Sequence, residues 1–239
     1  MPSVHVQDEI SPLRRVLVHR PDVGISRITP KRSEELLFDD IVHLPRMQQE
    51  HEVFTALLTH FVGEEGVLEV ERLLMEALDA DPSSKEEMIQ LILADEELPQ
   101  SYGDTMRKLS HTDLTKLLVT GYYAAEDQFF FDPIPNFIFT RDIAVTVNDH
   151  IVIMKAAKEA RYRENFITRF IIWAHPLFAP VRKAGRVINL NRVEEFPPSR
   201  RGERVSIEGG DVMILNKDYL LIGCSERTTA HGIRSLAKR

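Results

Sequence analysis

Two short acidic motifs carry the chemistry this sequence can be expected to do, Phe139-Thr140-Arg141-Asp142 and Ile207-Glu208-Gly209-Gly210-Asp211, each opening an apolar strand pair. An acid at a strand edge is costly to bury unless it meets a cation or hydrogen-bond donors. Two of them at the head of similar segments point to a site for something positively charged, such as a planar guanidinium. No nucleophile accompanies either motif. Cys224 and the run His111-Thr112-Asp113 look like the missing parts, and neither reads as one. Cys224 ends the strand that runs through Leu220-Leu221-Ile222-Gly223, where a lone cysteine is a small buried hydrophobe facing a core. Only Arg227 stands near it in sequence to activate a thiol. His111 follows Ser110, a capping residue, at a helix start that favours Thr and Asp through the helix dipole.

The elements that must position these acids repeat. Asp142 is followed by Ile143, Val145 and Val147, a turn at Asn148-Asp149, and Ile151-Val152-Ile153. Asp211 is followed by Val212, Ile214 and Leu215, a turn around Asn216-Lys217-Asp218, and Leu220-Leu221-Ile222. Residues 142–153 and 211–222 align over twelve positions without a gap, an internal repeat of 69 residues. Each copy goes on to an arginine and a helix: Arg161 leads into Phe166, Ile167 and Phe170, and Arg227 into Ile233 and Leu236. A unit of acid, hairpin, arginine and helix cannot bury its own apolar face, so several must pack about a shared axis where the acids converge.

Three segments follow. Residues 1–63 hold the strand Arg15–His19, closed by Pro21 and Gly24, and a helix after Pro45 with Met47, Val53, Phe54, Leu57, Leu58 and Phe61 at the helical period. Residues 64–128 read as an all-helical insertion without strand signal. Leu68, Val70, Leu73, Leu74, Ala77 and Leu78 form its first stripe, and Ser83 with Glu86 makes a capping box for the next helix. Residues 129–239 hold the repeated α/β units.

Composition narrows the partners. A net charge of −7, from 30 basic and 37 acidic residues, speaks against general nucleic-acid or anionic-membrane binding. The basic residues Arg182, Arg200, Arg201 and Arg204 are interrupted by Glu194, Glu195 and Glu203, as in a solvated loop. The first residues lack the charged and apolar regions of a signal peptide, and no apolar run approaches the ~20 residues that span a bilayer. One cysteine excludes an intramolecular disulfide, which fits a reducing cytoplasm. The nine histidines are scattered with no His-x-x-x-His or Cys-x-x-Cys, so neither metal nor cofactor is expected.

Six stretches in order identify a resemblance: Arg14–Pro21, Glu35-Leu36-Leu37-Phe38-Asp39-Asp40-Ile41, Gln49-Glu50-His51, Pro135–Asp142, Ile207–Asp211 and Ser225-Glu226-Arg227-Thr228. The chain resembles arginine deiminases, of the guanidino-group-modifying superfamily. The resemblance implies a pentein-type α/β propeller, of which this chain supplies about three of five ββαβ units, with the helical segment as an insertion.

The activity it implies is hydrolysis of arginine to citrulline and ammonia through a cysteine-bound amidino intermediate. Asp142 would pair with the substrate guanidinium, and Glu208 would hold charge and hydrogen bonds near the reacting carbon and the general base. Arg161 and Arg227 would clamp the α-carboxylate, and Asn136 and Phe139 would line the pocket. In the family the His-x-Asp pair and the nucleophilic cysteine follow the Glu-Arg-Thr motif, and this chain stops at Arg239, so it is expected to be the N-terminal portion and catalytically incomplete alone. The reading from a different class is a non-catalytic guanidino-binding or interaction module that associates with another chain, or with itself, through exposed propeller edges.

Overall fold

The computed structural model describes residues 4–38 and 42–239. Asp39, Asp40 and Ile41, which end one of the matching stretches, lie outside the described residues. The chain divides into two units, each described separately: one of residues 13–138 and 174–176, the other of the described residues up to 12 together with 139–173 and 177–239.

In the first unit β1 (Val16–Val18) leads through α1 (Ser33–Leu36) and α2 (Leu44–Val62) to β2 (Val67–Glu69). β1 and β2 pair in parallel with Val16 opposite Val67. The segment expected to be wholly helical therefore contains strands at Val67–Glu69 and, further on, at Tyr122–Tyr123, and Leu68 lies on the first of them rather than on the helix stripe. Three residues are too few to leave a period-two signal. Glu69 then caps α3 (Val70–Asp79), its carboxylate accepting the Arg72 N–H. Val70, Leu73, Leu74, Ala77 and Leu78 form the buried stripe of α3.

That stripe packs against α4 (Ser84–Asp95) and α6 (His111–Thr120), while α5 (Gln100–Lys108) packs on α4. Met88, Ile89, Met106, Leu114 and Leu118 complete this core, each worth roughly 1.5–3 kcal/mol when fully buried. The expected capping box at Ser83 does not form, because the Ser83 hydroxyl donates to Asp81 Oδ1 at 2.7 Å and makes no cap bond. Glu86 instead accepts from Arg107 Nε and Nη2 at 2.9 and 2.8 Å. Asp81 competes because it stands two residues before the serine, at the spacing of an Asx turn. Ser110 does cap α6, accepting the Asp113 N–H at 3.0 Å, and His111 pairs with Asp79. After α6 comes the short hairpin β3 (Tyr122–Tyr123) and β4 (Gln128–Phe129).

α2 forms where its apolar period predicts a helix but buries none of its residues, and Val53 and Phe61 are each 73% exposed.

The second unit holds both copies of the repeat. β5 (Ala144–Val147) and β6 (His150–Ile153) form an antiparallel hairpin about Asn148, whose φ of 50° is the left-handed conformation that asparagine tolerates in such turns. α7 (Tyr162–Ala174) and α8 (Ala179–Lys183) then carry the chain to β7 (Val187–Asn189), which adds in parallel to β6. The second copy is the hairpin β8 (Val212–Asn216) and β9 (Tyr219–Ile222), followed by α9 (Ala230–Leu236). Val145, Val152, Ile207, Val212 and Ile214 of the two copies share one core. An antiparallel bridge from Lys155 to Ile207 links their backbones.

Cys224 departs from expectation: it is exposed, not a buried hydrophobe. It lies in the loop beyond Ile222, and among the described residues no strand other than β8 pairs with β9. Met213, Leu215, Tyr219 and Leu221 on this hairpin are likewise exposed. No helix among the described residues is long and apolar enough to cross a membrane.

Candidate functional site

The two acids are set by backbone turns that touch each other. Asp142 closes a turn before β5, its N–H bonded to the Phe139 carbonyl at 3.0 Å. Its Oδ1 accepts the Gly210 N–H at 2.8 Å, so the Glu-Gly-Gly-Asp turn of the second copy rests on the acid of the first. The Glu208 N–H donates to Thr228 Oγ1 at 3.2 Å, which ties the Ser-Glu-Arg-Thr loop to the same place. Arg141 fastens the turns from outside, donating to the carbonyls of Gly209 and Val212 and pairing with Glu9.

The glycines are required by approach rather than by φ. A Cβ on Gly209 would stand 1.9 Å from the Arg141 carbonyl oxygen, and one on Gly210 2.8 Å from Asp142 Oδ1. Gly209→Ala must therefore separate the two turns. It is expected to lower stability by roughly 2–4 kcal/mol in urea denaturation. A loss under about 0.5 kcal/mol, the range of a neutral surface change, would mean that the turns do not need this contact.

Arg161, on the turn before α7, reaches both acids. Its Nη1 lies 2.9 Å from Asp142 Oδ2 and 3.0 Å from Glu208 Oε2, and the side chain is 4% exposed. Its Nε and Nη2 donate to Glu164 Oε2 at 2.9 and 2.8 Å. Arg227 approaches Glu208 Oε1 at 3.4 Å from the partly exposed side. Arg161 thus supplies a cation to the two acids, of the kind their burial requires.

Glu164 was not singled out by its sequence. It is fully buried, and its Oε1 has no hydrogen-bond partner among the described residues. The available signal was an acid three residues after Arg161, at the first turn of the helix that follows it. Burial pushes the Glu164 carboxyl up; Arg161 pulls it back, Glu208 and Asp142 add to the rise, and it settles at about 7. Burial alone would lower the Arg161 pKa, but the charges of Glu164 and Asp142 outweigh it and hold the guanidinium above its ordinary range.

Of the six residues singled out, Asp142, Glu208, Arg161 and Arg227 come together. Phe139, one turn before Asp142, is half exposed. Asn136 belongs to the first unit, where it is buried and donates from Nδ2 to the Leu36 carbonyl at 2.8 Å.

The first unit holds its own charged cluster. His19 Nδ1 meets Glu69 Oε1 at 3.2 Å and Nε2 meets Asp22 Oδ2 at 2.9 Å. His19, Asp22 and Glu71 are close enough to share a metal ion. A metal would need a ring nitrogen lone pair, and both ring nitrogens here face carboxylates as donors. Burial would lower the His19 pKa, but the hydrogen bonds it donates to Asp22 and Glu69 outweigh it and hold it at about 10. The cluster is a buried imidazolium between acids.

In the second unit, the oxygens of Asp142 and Glu208 converge on a single NH2 group of Arg161. This is the geometry in which two carboxylates receive a planar guanidinium.

Residues 34–124 and 102–239 match the protein family described as arginine deiminase. The arginine deiminase of Bacillus cereus strain B4264 is 36% identical, covering 98% of this chain and 59% of that relative. Those of Pediococcus pentosaceus and of Listeria monocytogenes serotype 4b are 33% and 32% identical, each covering 99% of this chain and 59% of the relative. The chain thus spans about three-fifths of the length of these curated relatives.

Proposed function

Since the chain belongs to the arginine deiminase family, we propose that it forms the guanidinium-binding part of a hydrolase that converts arginine to citrulline and ammonia. The convergence of Asp142 and Glu208 on one NH2 group of a guanidinium carries this reading. In it, residues 64–128 are an insertion into a pentein-type propeller, of which the chain holds about three of five units.

Asp142 binds the substrate guanidinium, and Glu208 holds positive charge beside the reacting carbon. Arg161 and Arg227 hold the substrate α-carboxylate, and Phe139 lines the pocket. For Arg161 to serve as a clamp, its Nη1 must give up Asp142 and Glu208 to the guest. A cysteine thiolate outside this chain attacks the guanidinium carbon, and the C–N bond breaks with a proton passing to the leaving ammonia. Water then adds to the S-bound amidino carbon, a histidine takes its proton, and the C–S bond breaks to release citrulline and the thiolate. The chain by itself supplies binding, not turnover.

A second reading, as an interaction module, draws on the exposed apolar residues Met213, Leu215, Tyr219 and Leu221 of the β8–β9 hairpin.

A thermal-shift titration separates guanidinium recognition from general cation binding. Arginine at millimolar concentration is expected to raise the Tm by about 1–3 °C, lysine not at all, and Asp142→Asn should remove the response. Equal shifts with arginine and lysine would mean that these acids do not form a guanidinium site.

A further inference from the structure

Glu164 is the one group of the Arg161 cluster without a role in the reaction proposed above. It is fully buried, it takes the Nε/Nη2 edge of Arg161, and its second oxygen has no partner among the described residues. The opposite corner of the same guanidinium, Nη1, is what Asp142 and Glu208 share. Arg161 is therefore held by two separate seats: Glu164 on one edge, and on the other the two acids assigned to the substrate.

We infer that Glu164 is a positioning residue: its carboxylate keeps Arg161 in place when a guest guanidinium takes over Asp142 and Glu208, and its charge creates the vacancy for that guest. This rests on the guanidinium-binding reading proposed above. The charged groups facing one another here are Asp142, Glu208, Arg161, Arg227 and Glu164. With Glu164 neutral, two acids and two arginines sum to zero, and a guest cation adds an uncompensated buried charge. With Glu164 ionised, the cluster carries one negative charge and a guest guanidinium neutralises it. Guest binding and loss of the Glu164 proton are therefore linked, and each must favour the other by the same factor. The position of the Glu164 carboxyl, at about 7, puts this linkage in the neutral range.

The experiment is isothermal titration of the chain with arginine from pH 6 to pH 8, for wild type, Glu164→Gln and Glu164→Asp. For a carboxyl titrating at about 7 that must be ionised for binding, the wild-type Kd should tighten about tenfold across this range. The Gln variant should bind weakly with no pH dependence, and the Asp variant should restore the dependence. Wild-type and Gln profiles of the same shape would overturn the inference while leaving guanidinium binding intact.

The second measurement needs no ligand: the NMR signal of the Arg161 Nε–H, assigned by its loss in Arg161→Lys. It should shift with a midpoint near neutral pH in wild type and stay constant in Glu164→Gln. Absence of arginine binding at any pH would sink the guanidinium reading, and an Nε–H signal indifferent to pH in wild type would independently sink the role of Glu164.

Discussion

Replacing Arg161 by methionine should lower stability by about 3–5 kcal/mol at pH 7, the cost of removing one partner from a buried ion cluster. The side chain is 4% exposed and serves Asp142, Glu208 and Glu164 at 2.8–3.0 Å. Methionine fills similar volume, so the loss is electrostatic rather than a cavity effect. It leaves three carboxylates close together, with Arg227 on the rim near Glu208. Such acids escape by binding protons, so the deficit should shrink as pH falls from 7 towards 4. Lysine at the same position keeps the charge but cannot fork between two seats, and should fall between the two. Urea denaturation of the three proteins at pH 7 and pH 4.5 gives both comparisons. A methionine variant within 1 kcal/mol of wild type at pH 7 would mean that the cluster is solvated and the arginine replaceable.

This cluster also marks the boundary of what the sequence disclosed. The hairpins of both copies were legible because period-two apolar runs flank Asn-containing turns, and that local chemistry decides a hairpin. Asp142, Glu208, Arg161 and Arg227 could be named because each lies on one of the acidic motifs that open the hairpins or on the arginine-bearing segment that follows a hairpin, at positions matching the family motifs. That Arg161 neutralises the acids is a matter of side-chain direction across 19 and 47 residues, on which spacing is silent. β2 was missed for a similar reason. Its three residues become a strand through parallel pairing with β1, some 51 positions earlier, and not by their own pattern. Ser83 followed a capping rule that a nearby acid overrode. Cys224 follows an apolar, strand-like run whose pattern carries no sign that Leu221 and Tyr219 beside it are open to solvent. Local chemistry was readable; burial, which depends on what covers a segment, was not.

The buried imidazolium of the first unit should make the protein alkali-sensitive. His19 lies at the end of β1, 1% exposed, with Asp22 on one ring nitrogen and Glu69 on the other. Each acid is itself tied down: Asp22 Oδ1 accepts the Gly24 N–H at 2.5 Å, and Glu69 Oε2 accepts the Arg72 N–H at the start of α3. The histidine thus joins β1, the turn after it and the cap of α3, and only its doubly protonated form donates to both acids. Its folded pKa of about 10 stands above the unfolded 6.5, so the folded state binds more protons between these values. Stability from this group is therefore full below about pH 6.5 and is lost as pH rises through about 10, by an amount on the order of 5 kcal/mol. Lysines and tyrosines also titrate at alkaline pH, so the test is a difference. His19→Gln should cost roughly 3–5 kcal/mol at pH 6. The gap between variant and wild type should narrow steadily towards pH 10, where half of the wild-type rings have lost their charge. A gap that stays constant from pH 6 to pH 10 would show that His19 is held neutral, donating to one acid only, and that the turn after β1 is fixed by packing against Phe137, whose ring centroid lies 5.2 Å away.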